Sequence, residues 1–304
     1  MSEVKTIEEE ILELKAKRNA VILAHNYERG EVQDVADFTG DSLELARRAT
    51  AVDADVIVFC GVYFMAETAA ILNPGRTVLI PDATAGCPMA DMVTGAQVRE
   101  MKAKHPGAAA VCYVNSTAEV KAECDMCVTS GNAERIMATF PRDREIIFVP
   151  DQHLGSHVAG KMGLKYILWP GYCPTHARLT AAAIERARAA HPGAPVMVHP
   201  ECRKEVRDIA DEVLSTGGMC AFAKSSSAKE ILVGTETGIL HRLEKENPGK
   251  AFYTVDENLV CPNMKKTTLE KVRDSLLEMK ERVTVPGDIA ARARRAIEAM
   301  LAVP

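Results

Sequence analysis

Cysteine followed by proline occurs three times, at Cys87-Pro88, Cys173-Pro174 and Cys261-Pro262, and the cysteines stand 86 and 88 residues apart. Thiolates that recur once per repeat of a scaffold can meet where the repeats converge. Three of them suit an iron–sulfur cluster or a metal that keeps one position open. Zinc with three cysteines and a water meets that count. A 4Fe–4S cluster meets it with more chemistry, because three thiolates leave one iron free as a Lewis acid toward a carboxylate or hydroxyl. An electron carrier would use a fourth cysteine.

The repeat extends beyond sulfur. His105-Pro106-Gly107-Ala108 recurs as His191-Pro192-Gly193-Ala194, each beginning 18 residues after its cysteine. Eight residues further on come Tyr113-Val114-Asn115 and His199-Pro200-Glu201, and the N-terminal counterpart is His25-Asn26-Tyr27. Seventeen residues beyond the first member of each triplet stand Ser42, Ser130 and Thr216. A polar triplet, a hydroxyl residue and Cys-Pro therefore follow in the same order in three units. In an extended segment residues i and i+2 point to one side, so each triplet can aim two polar groups together. Among them His, Tyr and Glu are acid–base candidates if burial tunes them. Ser42, Ser130 and Thr216 precede helical segments, where a capping role and an anion site at free helix amides are compatible. Gly131 and Gly217-Gly218 would let a carboxylate or phosphate approach the backbone.

The elements that must position these groups alternate strand and helix. An amphipathic helix opens unit one with Ile7, Ile11, Leu12 and Leu14 on one face. Ala20–Ala24, Asp55–Phe59 and Thr77–Ile80 then read as strands, with helices over Ser42–Ala51 and Phe64–Leu72. Unit two repeats this with strands 109–114, 145–149 and 166–168, and unit three with 195–198, 230–233 and 251–254. Further short strands are expected before Ser42, Ser130 and Thr216. Uninterrupted apolar strands between helices predict parallel sheets covered on both faces. The predicted fold is α/β, with three pseudo-symmetric three-layer αβα domains whose short parallel sheets surround a central site. The expected limits are 1–92, 93–178 and 179–265. Helices over 267–282 and 288–300 are expected to pack back on domain one within a 266–304 tail, closing a ring. Functional groups of open α/β sheets gather beyond the carboxyl ends of strands, where the triplets, hydroxyls and cysteines all fall.

Composition is that of an ordinary globular protein, 47% hydrophobic and 26% charged, with a net charge of −5 that offers no basic footprint for nucleic acid. No apolar run approaches the roughly 20 residues that cross a bilayer, and the acidic N-terminal stretch lacks signal-peptide character. A cytoplasmic location is expected. Nine cysteines in a reducing compartment read as thiols or ligands. Cys60, Cys112, Cys202 and Cys220 read as packing residues, as do Cys124 and Cys127, whose C-x-x-C spacing also allows a reversible disulfide. Lys265-Lys266, Arg292, Arg294 and Arg295 read as solvated helix faces. His153, His157 and His241 read as helix or loop residues, whereas His176, just past Cys173, can reach the central site.

Taken together, His25-Asn26-Tyr27, Gly40-Asp41-Ser42, Tyr113-Val114-Asn115, Thr129-Ser130-Gly131-Asn132, His199-Pro200-Glu201, Ser215-Thr216-Gly217-Gly218 and the three Cys-Pro loops resemble the quinolinate synthase family, the A proteins of de novo NAD biosynthesis, over almost the whole chain. The resemblance implies three similar domains in a triangle and a 4Fe–4S cluster on Cys87, Cys173 and Cys261. It implies condensation of iminoaspartate with dihydroxyacetone phosphate to quinolinate, with release of phosphate and water, and an L-aspartate oxidase or dehydrogenase upstream. It assigns substrate binding to His25, Ser42, Tyr113, Asn115, Ser130, His199, Glu201 and Thr216, and acid–base work to Tyr27 and Glu201. The C-x-x-C-x-x-C that some members carry near the third cysteine is missing, which argues against a redox switch there. Two other classes share part of this logic: another iron–sulfur hydro-lyase, and a non-catalytic iron–sulfur sensor that would need the cluster but neither Tyr27 nor Glu201.

Overall fold

Ala20–His25 carries no charge before its terminal histidine and is buried at every position after the first, the pattern of a strand covered on both faces. It is β1 of a computed structural model that describes residues 5–303. With β2 (Phe38–Gly40), β3 (Val56–Cys60) and β4 (Thr77–Leu79) it forms an all-parallel sheet in the order β2-β1-β3-β4. The same order is built twice more. The second sheet is β6-β5-β7-β8, from β5 (Ala109–Tyr113), β6 (Met126–Val128), β7 (Ile146–Val149) and β8 (Ile167–Leu168). The third is β10-β9-β11-β12, from β9 (Val196–Val198), β10 (Glu212–Val213), β11 (Glu230–Gly234) and β12 (Ala251–Thr254). Helices flank all three sheets, and the short strands β2, β6 and β10 stand where the hydroxyl residues predicted them.

The recurrent His-Pro-Gly-Ala motif now has a local cause. It joins a helix to the first strand of units two and three, and its glycine takes a left-handed turn, with φ of 91° at Gly107 and 86° at Gly193. A residue with a Cβ would be strained there. The inward faces of the three sheets share one apolar core, whereas the outer faces of the first and third sheets close smaller cores of their own. Units of this size bury too little alone and lean on one another.

The helices after the third sheet divide between two places. The helix Leu269–Glu278 lies along the opening helix Ile7–Lys17 and touches β3. It is shorter than the 267–282 expected, because Met279 and Glu281 turn to positive φ. Arg282 and Val283 then join the open edge of β4, with Val283 N donating to Val78 O at 2.8 Å. Edge pairing outcompetes helix propagation at that point. The last helix, Gly287–Ala302, lies mainly on the helix Ala118–Glu123 and on β6 of unit two, and also touches the helix Tyr63–Leu72 of unit one. No helix among the described residues is long and apolar enough to cross a membrane.

Polar contacts fasten the units as well. Lys121, without accessible surface, donates to Thr68 Oγ1 at 2.8 Å and to Phe64 O at 3.3 Å across the seam between units one and two. Burial is the leading reason that its ammonium pKa falls, with the nearby Glu67 opposing. Arg207 of unit three donates to His153 O at 2.7 Å and to Ser156 Oγ at 3.1 Å in unit two. Because Thr68 Oγ1 also donates to Phe64 O, removing the ammonium leaves no new orphan at that carbonyl. Lys121→Met should therefore unfold within about 1 kcal/mol of the parent in urea, whereas Lys121→Ala, which opens a cavity, should cost about 2–4 kcal/mol.

Candidate active site

The carboxyl ends of the three sheets open on one cavity of about 200 Å³. The candidate ligand, substrate-binding and acid–base residues of the sequence line it: Cys87, Cys173 and Cys261; His25, Tyr27, Tyr113, Asn115, His199 and Glu201; Ser42, Ser130 and Thr216. Asp41, His176, Arg178 and Glu236 line it too. The position follows from topology, since strand order reverses beside β1, β5 and β9, and crevices form at such switch points.

The cysteine loops are three copies of one design. Each leaves the edge strand of its sheet, β4, β8 or β12, and runs through Cys-Pro into a 3₁₀ turn at Ala90–Met92, His176–Arg178 or Met264–Lys266. Backbone amides of the turn face the sulfur: Met89 and Ala90 for Cys87, His176 for Cys173, Asn263 and Met264 for Cys261. Seven residues after each cysteine a threonine, Thr94, Thr180 or Thr268, caps the next helix. That fourth landmark was readable in the sequence and completes the repeat. The three cysteines are partly buried, and burial pushes Cys87 up to about 12 and raises Cys173 and Cys261. Buried thiols raised in this way favour the thiolate only when a cation joins them. Three soft donors on one cavity, each met by amides that would stabilise a thiolate, fit a cluster held by three protein sulfurs. A tighter set, Cys173, His176 and Glu201, has ligand atoms within 4.8 Å of one another. There His176 Nδ1 lies 2.7 Å from Glu201 Oε2 and 3.2 Å from Cys173 Sγ, so the same geometry also serves hydrogen bonding.

The triplets meet face to face. His25 Nδ1 accepts from Tyr27 N at 3.1 Å, and His199 Nδ1 accepts from Glu201 N at 3.3 Å, the same bond in units one and three. Each imidazole is thereby the tautomer with Nε2–H free to donate. Burial pushes both rings down to about 3, so they serve the cavity as neutral donors. Glu201 lies at the centre. Its Oε1 accepts from Tyr113 Oη at 2.7 Å and Asn115 Nδ2 at 3.4 Å. Burial opposes its charge, but the hydrogen bonds from His176 and Tyr113 hold the carboxyl below its ordinary range. Burial, reinforced by that charge, raises the Tyr27 and Tyr113 phenols well above theirs.

The hydroxyl residues depart from one expectation. Ser42 and Thr216 are not the caps of their helices; Asp41 and Ser215 are, one residue earlier. Their hydroxyls are left for the cavity, with Thr216 Oγ1 accepting from Asn26 Nδ2 at 2.9 Å. At Gly217 a Cβ would stand 2.7 Å from Asp41 Oδ2, so the carboxylate that this glycine admits is the protein's own.

Other residues at the site gave no repeated signal. Thr235 follows β11, Asp151 follows β7, and Glu236 accepts Cys261 N at 3.1 Å while pairing with Lys265 Nζ at 3.0 Å. Each is unique to its unit, so no threefold pattern marks it. Lys265 is not on a solvated helix face; it is half-buried and also donates to the Tyr27 carbonyl. Cys124 and Cys127 lie away from the cavity. Cys127 Sγ sits 3.4 Å from Cys112 Sγ across β5 and β6, and all nine cysteines are free thiols.

Comparison with known proteins gives one answer. Residues 9–302 match the family model described as quinolinate synthetase A protein. The chain is 57% identical over 302 residues to a quinolinate synthase of Methanoregula boonei, covering 99% of this chain and all of that one. It is 56% identical over 297 residues to one from Dehalococcoides mccartyi strain CBDB1 and 52% over 299 residues to one from Geobacter metallireducens, with 98% of each chain covered in both cases.

The histidine geometry sets a pH dependence. Below the ordinary value of 6.5 the unfolded chain binds protons that folded His25 and His199 refuse until about pH 3. Their contribution is thus complete above pH 6.5 and shrinks as pH falls through that window. His25→Asn keeps an acceptor for Tyr27 N–H and removes one such proton. Urea unfolding should show the variant losing about 2 kcal/mol less stability than the parent between about pH 7.5 and pH 5.

Proposed function

The chain belongs to the quinolinate synthase family, and on that premise we propose that it condenses iminoaspartate with dihydroxyacetone phosphate to quinolinate, with release of phosphate and water. The observation that carries this reading is the convergence of three identically built Cys-Pro loops on the cavity that also holds Tyr27 and Glu201. We propose a 4Fe–4S cluster held by Cys87, Cys173 and Cys261. When bound, it would supply an open iron, a Lewis acid for loss of a hydroxyl as water.

The chain's own groups would do the rest. His25 and His199 present N–H donors without charge, and Ser42, Ser130 and Thr216 add hydroxyls on the same cavity. Carboxylate and phosphate oxygens can be held this way with Arg178 at the rim as the lining arginine. Tyr113 and Asn115 orient Glu201 as a carboxylate, an acceptor at neutral pH. Tyr27, a neutral phenol, can donate or accept a proton as substrate bonds rearrange. Burial of the whole set keeps water from a reactive imine. In this reading the domains run 1–92, 93–178 and 179–265, and residues 1–4 and 304 of the outer segments lie outside the described residues.

The test is an anaerobic assay of the iron-loaded chain with iminoaspartate and dihydroxyacetone phosphate. Quinolinate should form. Cys87→Ser, Cys173→Ser and Cys261→Ser should each lose iron and turnover, whereas Cys124→Ser should keep both. Tyr27→Phe should keep the cluster absorbance and lose about 100-fold or more in kcat. No quinolinate from a fully iron-loaded parent rejects the reading, and full activity of Tyr27→Phe removes that residue from the chemistry.

A further inference from the structure

A second concavity, about 340 Å³ in volume, shares no lining residue with the central cavity. It lies where the C-terminal end of the helix Tyr63–Leu72 and the turn after it meet the segment 282–285 and the start of the helix Gly287–Ala302. Arg76, Arg282 and Arg294 all line it, and no acidic residue does. Among the described residues none of these three enters an ion pair, whereas Arg273 and Arg292 of the same tail pair with Asp274 and Glu123. Asp288 adjoins Gly287 at the groove, but the charge nearest its carboxylate is Arg292, at 3.8 Å. In a chain of net charge −5, positive charge gathers here without its counter-charge.

Helix capping accounts for part of this arrangement. Arg294, expected on a solvated helix face, is half-buried and donates to Ile71 O, and Arg76 donates to Ala49 O at 3.4 Å. Both carbonyls belong to the last turns of helices, where a cation is favourable. Each bond uses one of five N–H donors and steadies the guanidinium, so the rest of the fork stands ready for an oxyanion. Arg282 has no such role. It is exposed, and only its backbone is tied down, by the bridge to Leu79. Three like charges around one groove repel, and a polyanion between them removes that cost. Ile71, Pro74, Val283 and Val285 add an apolar wall. The volume falls within the range of small-molecule sites, roughly 300–1,000 Å³, and exceeds what a lone phosphate fills.

We propose that this groove binds a nucleoside diphosphate, with its phosphoryl oxygens on Arg76, Arg282 and Arg294 and its base against the apolar wall. Three unopposed guanidiniums match the about three negative charges that two linked phosphoryl groups carry near pH 7. Planar forks take such oxygens two at a time, which a lysine cluster could not do. The site stands whether or not the chain makes quinolinate, since it uses none of the residues of the central cavity.

The test is anaerobic calorimetric titration of the iron-loaded full chain with ADP. One site should appear, with an affinity that falls as salt rises. Arg282→Ala should weaken ADP binding by about 10-fold or more, and Arg282→Glu by more still. Because Arg282 is exposed, both variants should unfold at the parent's urea midpoint, which separates a lost site from a lost fold. Inorganic phosphate should bind at least about 10-fold more weakly than ADP, since it leaves the apolar wall bare. Dihydroxyacetone phosphate, whose place in the proposed reaction is the central cavity, should not displace ADP. The proposal is overturned by the absence of binding at millimolar ADP, by parent-like affinity in Arg282→Glu, or by displacement with dihydroxyacetone phosphate. Phosphate or a polyglutamate peptide binding as tightly as ADP would overturn it too, by reducing the groove to a patch of charge.

Discussion

The cost of taking the Glu201 carboxylate out of water organises the centre of this molecule. An ionised carboxyl in a protein interior persists only when donors replace its hydration. Here the donors all come from one sheet other than its own: Tyr113 and Asn115 beyond β5, and His176 beyond β8. Unit three, which carries Glu201, does not satisfy it; unit two does. Burial, reinforced by the same charge, raises the pKa of Tyr27, Tyr113 and Asp151. Burial and one buried negative charge thus act together to keep these neighbours in their protonated forms.

Three small sheets that share one apolar core still need their mutual orientation fixed, because apolar contact is not directional. The molecule answers with long polar side chains that reach into neighbouring backbone. Arg207 caps carbonyl and hydroxyl groups of the helix Gln152–Met162, Lys121 enters the helix Tyr63–Leu72, and Arg242 donates to Asn26 Oδ1 at 2.8 Å. These contacts are directional, so they fix orientation as well as adhesion. The cavity keeps its shape through them.

Much of this arrangement was legible in the residues. Recurrence located the cysteines, triplets and hydroxyls, and the rule that chemistry gathers at carboxyl ends of strands placed them together. Short apolar runs gave the strands to within a residue or so, because doubly covered strands tolerate no polar interruption. What escaped was whatever depends on one unit only. Thr235 and Asp151 look like ordinary strand-end residues, and Lys265 looks like surface charge until Glu236 is seen beneath it. The capping roles were shifted by one residue, because Asp41 and Ser215 compete with the hydroxyls beside them and only geometry decides which side chain turns back on the helix. The early end of the helix Leu269–Glu278 was set by a distant strand edge that local spacing does not encode.

The helix Gly287–Ala302 has a bearing on how the protein is made. It bridges the first two units, and its Arg292 pairs with Glu123, 169 positions earlier in the chain. During synthesis those units emerge from the ribosome and can collapse well before this brace exists. Their mutual seam must wait, partly open, until the brace has been translated. A pause or a premature stop late in the message would therefore damage the join between parts that were completed long before it.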